Sequence, residues 1–176
     1  MQDGRYAQRI AELAAQLGVP ADYAQSRSLP LQPEAAELVP VGVSPEGRKI
    51  ELSPKGARAW EQMRAAAARD GIELQPLSGF RSVGRQAEII RGKLAGGRTI
   101  AEILTVLAAP GYSEHHTGLA LDIGSPGAPP LEEGFGDSPA FRWLELRAGS
   151  FGFRLSFPRE NPHQIAYEPW HWYNFI

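Results

Sequence analysis

Residues 5–17 place apolar side chains at the spacing of an α-helix. Gly18 and Pro20 follow directly and predict the end of that helix. Residues 20–50 are rich in proline and weakly periodic, which predicts an extended segment that wraps the domain, with a short edge strand at 38–41. The apolar positions of the first helix are Ile10, Leu13, Ala14 and Leu17.

Helical spacing returns in four later segments. Ser53-Pro54 and Ser138-Pro139 each place a hydroxyl cap before a proline that suits the first helical turn, and Thr99 is a third candidate cap. The remaining segment follows Ser82 and is interrupted at Gly96-Gly97. The apolar positions are, in chain order, Ala57, Trp60, Met63, Ala66 and Ala67; Ala87, Ile89 and Ile90; Ile100, Ile103, Leu104 and Leu107; and Phe141, Leu144 and Leu146.

Alternating apolar positions, which are typical of β-strands, occur at 72–77, 118–123 and 151–157. Helices come first along the chain, and helices and strands are mixed afterwards. This order predicts an α+β fold, a single domain with a small antiparallel sheet flanked by helices.

The composition is that of an ordinary globular domain. The chain has 176 residues, of which 43% are hydrophobic and 22% charged, enough for a substantial core. A net charge of -2 gives no broad basic surface, so we do not expect nucleic acid as a partner. The chain contains no run of eighteen apolar residues, so we do not expect a transmembrane segment. The absence of cysteine excludes disulfides, thiol catalysis and cysteine-based zinc sites.

Residues 1–5 do not form the basic region that precedes an apolar stretch in a secretory signal peptide. We therefore expect a cytoplasmic location. The periplasm or the cell envelope is the alternative if a leader has been removed from the chain.

The ten residues from Ser113 to Asp122 combine two imidazoles, carboxylates, hydroxyls and two small residues. If 118–123 is a strand, Gly118, Ala120 and Asp122 share one face, because side chains alternate along a strand. That face ends in a carboxylate and has almost no side-chain volume beside it. The pattern therefore leaves room for a metal ion or a ligand.

His115, Asp122 and His171 form a candidate ligand set for a catalytic zinc ion, which takes about three protein ligands and leaves one position for water. A turn through residues 117–118 is needed to bring His115 back over Asp122. Glu168, three residues before His171, is a candidate general base. Histidine is also common at surfaces and in hydrogen-bonded core positions, and the four histidines alone are compatible with those roles.

Three motifs occur in order along the chain. They are Ser-Gly-Phe-Arg-Ser at 78–82 with Gln86, Ser-x-His-x-x-Gly-x-Ala-x-Asp at 113–122, and Tyr-Glu-Pro-Trp-His-Trp at 167–172. This set resembles the VanY-type D-alanyl-D-alanine carboxypeptidases, zinc peptidases of the superfamily that includes lysostaphin-type peptidases and the hedgehog signalling domain. The resemblance covers about residues 38–175.

The resemblance implies a hedgehog/D,D-peptidase-like fold with two parts. Residues 1–37 would form an N-terminal helix and an extended arm, and residues 38–176 would form the zinc carboxypeptidase domain. The family motif often continues with arginine after its last tryptophan, whereas this chain has Tyr173 and Asn174. We therefore expect a different shape at that edge of the pocket.

The resemblance also implies roles for individual side chains. Glu168 would activate the zinc-bound water as general base and then act as acid, and Arg81 would stabilise the oxyanion or hold a substrate carboxylate. His116 is expected to support a ligand or to be exposed, and His163 to be solvated. The zinc ligands would be His115, Asp122 and His171. The substrate contacts would be Ser113, Gln86 and Trp170, the last of which is otherwise a core aromatic.

The implied activity is that of a zinc carboxypeptidase that removes a terminal D-alanine from peptidoglycan stem peptides or muropeptides. D,D-cleavage would trim a pentapeptide and L,D-cleavage a tetrapeptide, and a cytoplasmic role in recycling wall fragments favours the tetrapeptide. Two alternatives stay open. One is a peptidoglycan endopeptidase of the same superfamily, and the other is a non-catalytic, zinc-stabilised binding module.

Overall fold

The computed structural model describes the backbone of residues 2–176 and the side chains of residues 4–176. Within that range the chain forms six α-helices and six β-strands. The helices are α1 (Gln2–Gln16), α2 (Tyr23–Ser26), α3 (Pro54–Arg69), α4 (Val83–Ala95), α5 (Ile100–Ile103) and α6 (Pro139–Arg147). The strands are β1 (Val39–Val43), β2 (Lys49–Leu52), β3 (Gln75–Ser78), β4 (Ala120–Gly124), β5 (Phe153–Leu155) and β6 (His171–Asn174).

The strands form two antiparallel sheets. One is the hairpin of β1 and β2, and the other has the order β3-β4-β6-β5. Within the four-stranded sheet every neighbouring pair is antiparallel. The predicted α+β class with a small antiparallel sheet is therefore confirmed.

Hydroxyl caps define where the helices begin. Ser53 Oγ accepts the backbone N–H of Gly56 at the start of α3, and Ser138 Oγ accepts that of Phe141 at the start of α6. Thr99 forms a reciprocal capping box with Glu102 at α5. Each such cap stabilises a helix by about 1 kcal/mol relative to alanine. The three predicted helix starts are confirmed.

Two clusters of buried apolar side chains hold the domain together. The larger cluster packs α3 and α6 against the strands, and the second joins the segment after α1 to α4, α5 and residues 157–165. β4 contributes Leu121 and Ile123, which are fully buried. Burial of each such side chain favours folding by about 1.5–3 kcal/mol relative to exposure. The core therefore fixes the strand that also carries Asp122.

The N-terminal arm lies against the segment with the candidate site. The hydroxyl of Tyr6 donates to the carbonyl of Gln32 at 2.6 Å, and the backbone N–H of Gln32 donates to Gly111 O. Ala35 N–H donates to the carbonyl of His116. The arm thus contacts the loop that leads into β4, while the predicted boundary between residues 37 and 38 stays a prediction.

Some local predictions were wrong. β2 lies in a segment predicted to be extended and irregular. α5 has only one turn, after which the N–H groups of Thr105 and Val106 donate to carbonyls three residues back. The strand after the histidines begins at Ala120, not at Gly118. Leu146 is 82% exposed, since the buried face of α6 runs through Phe141 and its neighbours.

None of the helices in the described residues is long and apolar enough to span a lipid bilayer.

The fold depends directly on glycine at position 118. Its φ is +64°, and a Cβ there would lie 2.6 Å from Ser53 N. We expect Gly118→Ala to lower the unfolding free energy by about 2–5 kcal/mol, from left-handed strain and overpacking together. Gly127 is the matched control, because its φ is +81° but a Cβ meets no atom within 4 Å. Gly127→Ala should cost only about 1–2 kcal/mol.

Urea denaturation of the two variants measures this difference. Equal losses in both proteins would contradict the close packing of Gly118 on the start of α3.

Candidate metal centre and active site

A 3-10 turn at Glu114–Thr117, which we call the histidine turn, places His115 over β4. The turn ends at Gly118 in the left-handed conformation. Ser53 holds that end, since both its backbone N–H and its hydroxyl donate to Gly118 O, at 2.9 and 3.1 Å. The turn that the sequence required between His115 and Asp122 is therefore present.

His115 is buried and has one ring nitrogen fixed by the backbone. Its Nδ1 lies 2.7 Å from Gly79 O. A carbonyl only accepts hydrogen bonds, so Nδ1 carries the proton and Nε2 has the free lone pair. Nε2 faces Asp122 Oδ1 at 3.3 Å. Burial lowers the pKa of His115, more than the Asp122 charge raises it.

Asp122 and His171 meet across the sheet. They are directly opposite each other in the antiparallel pairing of β4 with β6. His171 Nδ1 lies 3.1 Å from Asp122 Oδ1. Burial opposes ionisation of Asp122, but the two histidines outweigh it and hold the pKa of this carboxyl well below its usual range. Burial also opposes the charge on His171, yet hydrogen bonds to Asp122 and Glu114 raise the pKa of this imidazole to about 10.

The ligand atoms of His115, Asp122 and His171 all lie within 4.8 Å of one another, and all three residues are buried. In a tetrahedral zinc site with bonds of about 2.0–2.1 Å, neighbouring ligand atoms are about 3.3 Å apart. The two nitrogen–oxygen distances around Asp122 match that spacing. Two imidazoles and one carboxylate are also the donor types that zinc accepts in catalytic sites. These residues therefore fit a zinc ion with one position left for water or substrate.

Glu168 lies beside this group. A turn in which His171 N–H donates to Glu168 O, at 3.1 Å, places the two side chains together. Glu168 Oε2 is 4.0 Å from His171 Nδ1, and the side chain is 14% exposed. Burial raises the pKa of Glu168 to about 7. A carboxyl that gains and loses a proton near neutral pH suits acid–base chemistry.

Arg81 is held on the other side of the cluster. Its guanidinium donates to Gln86 Oε1 at 2.9 Å and to Ser78 Oγ at 3.3 Å. Burial lowers the pKa of Arg81, while the charges of Asp122 and Glu168 oppose the shift. A guanidinium nevertheless stays charged in proteins. The arrangement fixes a cation within the field of the two carboxylates.

These groups line a cavity of about 310 Å³ that continues from the ligands to the chain around α4 and α5. Its wall includes all eight predicted site residues: Arg81, Gln86, Ser113, His115, Asp122, Glu168, Trp170 and His171. The structure therefore brings the predicted residues into one pocket. Their individual roles stay predictions.

Gln86 and His116 are both fully buried. Gln86 has no exposed surface, and its amide donates to Ala108 O at 2.6 Å while it accepts from Arg81. His116 is not exposed either. Its Nδ1–H donates to Arg81 O at 2.6 Å, and its Nε2 accepts the backbone N–H of Gly111 at 3.0 Å. Both residues support Arg81 and the loops around it.

His163 lies away from the pocket. It is half-buried, and its Nδ1–H donates to Arg27 O at 2.9 Å.

Glu114 is a residue of the site that the sequence did not single out. Its Oε2 lies 2.9 Å from His171 Nε2. The two residues are 57 positions apart, so only the fold reveals the contact. The one available signal was the position of Glu114 next to His115 within the motif.

The sequence matches a known protein family. Residues 49–175 match the family model for VanY, described as D-alanyl-D-alanine carboxypeptidase. The chain is 37% identical to the Bacillus subtilis protein YodJ over 129 residues, which is 70% of this chain and 46% of YodJ. The chain thus spans less than half the length of this curated relative.

Solved structures show the same fold. The LdcB LD-carboxypeptidase is similar with a TM-score of 0.72 and 32% identity, covering 82% of this chain and 71% of that one. A variant of the vancomycin-resistance D,D-pentapeptidase VanY, in complex with Zn(II), is similar with a TM-score of 0.61 and 28% identity. That match covers 83% of this chain and 82% of the other.

The ligand set generates a direct test. We expect His115→Ala to weaken zinc binding by more than about 100-fold. Replacing a residue that only hydrogen-bonds a metal ligand already lowers metal affinity by about 10–100-fold. His163→Ala is the matched control, because His163 donates to Arg27 O and is not in the ligand group. Competition with a chromophoric chelator gives both dissociation constants. Wild-type affinity in His115→Ala would remove His115 from the ligand set.

Proposed function

Because the chain belongs to the VanY D-alanyl-D-alanine carboxypeptidase family, we propose that it is a zinc-dependent carboxypeptidase. Its substrate would be a peptidoglycan stem peptide or muropeptide, and it would hydrolyse the bond before a terminal D-alanine. The observation that supports this proposal most strongly is Glu168, a buried carboxyl with a pKa of about 7, beside the group of His115, Asp122 and His171.

His115, Asp122 and His171 would hold the zinc ion. When bound, zinc supplies a Lewis acid that lowers the pKa of a water molecule and polarises a carbonyl. One ring nitrogen of each imidazole faces Asp122 Oδ1, at 3.3 Å from His115 and 3.1 Å from His171. The three donors are thus already gathered before any rearrangement.

Glu168 would move the protons. As general base its carboxylate takes a proton from the attacking water, and as general acid it returns that proton to the leaving amine of D-alanine. Burial raises the pKa of Glu168 from its ordinary range towards neutral pH, which suits a group that must both take up and release a proton.

Arg81 would carry the positive charge that the substrate needs. Ser78 and Gln86 hold the guanidinium, so it can face a developing oxyanion or a terminal carboxylate without reorganising. Ser113 and Trp170 would contact the terminal residue from the cavity wall. Gln86 also lines that wall, although its amide already bonds Arg81 and Ala108, and its direct contact with substrate stays a prediction.

The similar structures do not separate the two bond specificities, since one is an LD-carboxypeptidase and another a D,D-pentapeptidase. The decisive experiment incubates the zinc-loaded protein with a muropeptide tetrapeptide and a pentapeptide and weighs the products. We expect loss of one D-alanine from at least one of them. Internal fragments would indicate an endopeptidase instead, and no hydrolysis by a zinc-loaded protein would indicate a binding module.

In the same assay we expect Glu168→Gln to lower kcat by about 10²–10⁴-fold, the usual contribution of a general acid–base, while zinc stays bound. Glu145→Gln is the control, because Glu145 is exposed on α6. Zinc content is measured on each protein before the assay. A zinc-loaded Glu168→Gln protein with near-normal turnover would rule out this role for Glu168.

The pH dependence has a definite sign. Glu168 acts as a base only when ionised, and burial raises its pKa to about 7. Activity should therefore fall as the pH drops through the pKa of Glu168. A nearby bound dication lowers the pKa of a carboxyl, so the midpoint should lie at or below about pH 7. The measurement is kcat/KM from pH 4 to pH 9, and activity that stays constant down to about pH 4 would contradict this assignment.

A further inference from the structure

Glu114 occupies a protected position behind His171. Its side chain is 11% exposed, and Oε2 lies 2.9 Å from His171 Nε2. Ser156, which follows β5, donates its hydroxyl to the same oxygen at 2.5 Å. Arg154 Nη2 lies 3.8 Å from the other oxygen, Oε1. The carboxylate is thus fixed from one side by the chain around β5 and directed at one imidazole nitrogen on the other.

His171 is held between two carboxylates that serve different ends of its ring. Nδ1 faces Asp122, whereas Nε2 faces Glu114. A metal ligand must offer a lone pair, so a nitrogen that binds a cation gives up its proton. The other nitrogen keeps its proton and donates it to whatever acceptor the protein provides.

We propose that Glu114 is a positioning residue that keeps the proton of His171 on Nε2 and directs Nδ1 at the metal. This inference rests on the proposed zinc site and adds a residue to it. The negative charge of Glu114 also makes the imidazole a stronger donor to a cation. Glu114 meets the ligand group at His171 Nε2, and in this proposal it acts through that imidazole.

The position of Glu114 in the chain suits this task. Glu114 and His115 are consecutive in the histidine turn, so one short turn supplies both a ligand and the support for another ligand. Because His171 begins β6, the contact also ties the histidine turn to that strand. Asp122, the partner of His171 on the cavity side, comes from β4. Both ends of the imidazole are therefore fixed by separate segments.

The first test measures zinc affinity by competition with a chromophoric chelator. We expect Glu114→Ala to weaken zinc binding by about 10–100-fold, and Glu114→Gln to recover part of the loss, because the amide oxygen still accepts the Nε2–H. Glu145→Ala, on the exposed face of α6, should leave the affinity unchanged. Unfolding of each protein without added zinc separates a loss of fold from a loss of metal affinity.

The second test follows the tautomer directly. Long-range ¹H–¹⁵N spectra of zinc-loaded, histidine-labelled protein should show the proton of His171 on Nε2 in the wild type. The four histidines of the chain keep the assignment simple. In Glu114→Gln the Nε2 proton should exchange faster with solvent, because the neutral amide holds it less strongly.

The outcomes separate this inference from the proposed function. A wild-type protein that binds no zinc would defeat both. If the wild-type protein binds zinc and both Glu114→Ala and Glu114→Gln bind it with the same affinity, only the role of Glu114 is contradicted. If Glu114→Ala does not fold, the zinc affinity and the Nε2 proton exchange of Glu114→Gln provide the test. Wild-type affinity and unchanged exchange of the Nε2 proton in that variant would limit Glu114 to a structural role.

Discussion

The pairing of β4 with β6 is the constraint on which the whole site depends. Asp122 and His171 are 49 residues apart in sequence, and they meet only because they are directly opposite each other in this pairing. A slip of one residue would turn one of these side chains to the other face of the sheet. Leu121 and Ile123 prevent that slip, since they are fully buried on the opposite face of β4. The hydrophobic core thus sets the register that the polar cluster requires.

The same burial makes the polar cluster costly unless its charges are balanced. Asp122, Glu114 and Glu168 share the interior with the imidazole of His171 and the guanidinium of Arg81. Loss of one partner from a buried ion pair typically costs about 3–5 kcal/mol, because the other charge is left uncompensated. Carboxylates outnumber cations here, and protonation of Glu168 at a pKa of about 7 is one way to reduce the excess. A divalent cation between the ligands is another, so the electrostatics and the donor geometry favour the same occupant.

Local chemistry explains which features the sequence could predict. The caps at Ser53 and Ser138 follow from short-range rules, and the turn between His115 and Asp122 follows from the candidate ligand set. The structure contains all three. The short strands β2 and β6 have too few residues for their alternation to identify them. The environments of Glu114 and His116 depend on contacts over 57 and 35 positions, and no periodicity reports such contacts. Motif spacing therefore located the pocket, whereas the residues that support it needed the fold.

The hydrogen bonds of the three buried histidines explain why two can serve as ligands and the third cannot. Gly79 O holds Nδ1 of His115, and Glu114 holds Nε2 of His171, so each ring retains one nitrogen that faces Asp122. His116 is next to His115 in sequence, but Arg81 O and the N–H of Gly111 use both of its nitrogens. It has no lone pair left for a cation and instead joins the loop of Arg81 to the loop before the histidine turn. The hydrogen-bond partners of the ring nitrogens, rather than the position of the histidine in the motif, determine which imidazole is available to a metal.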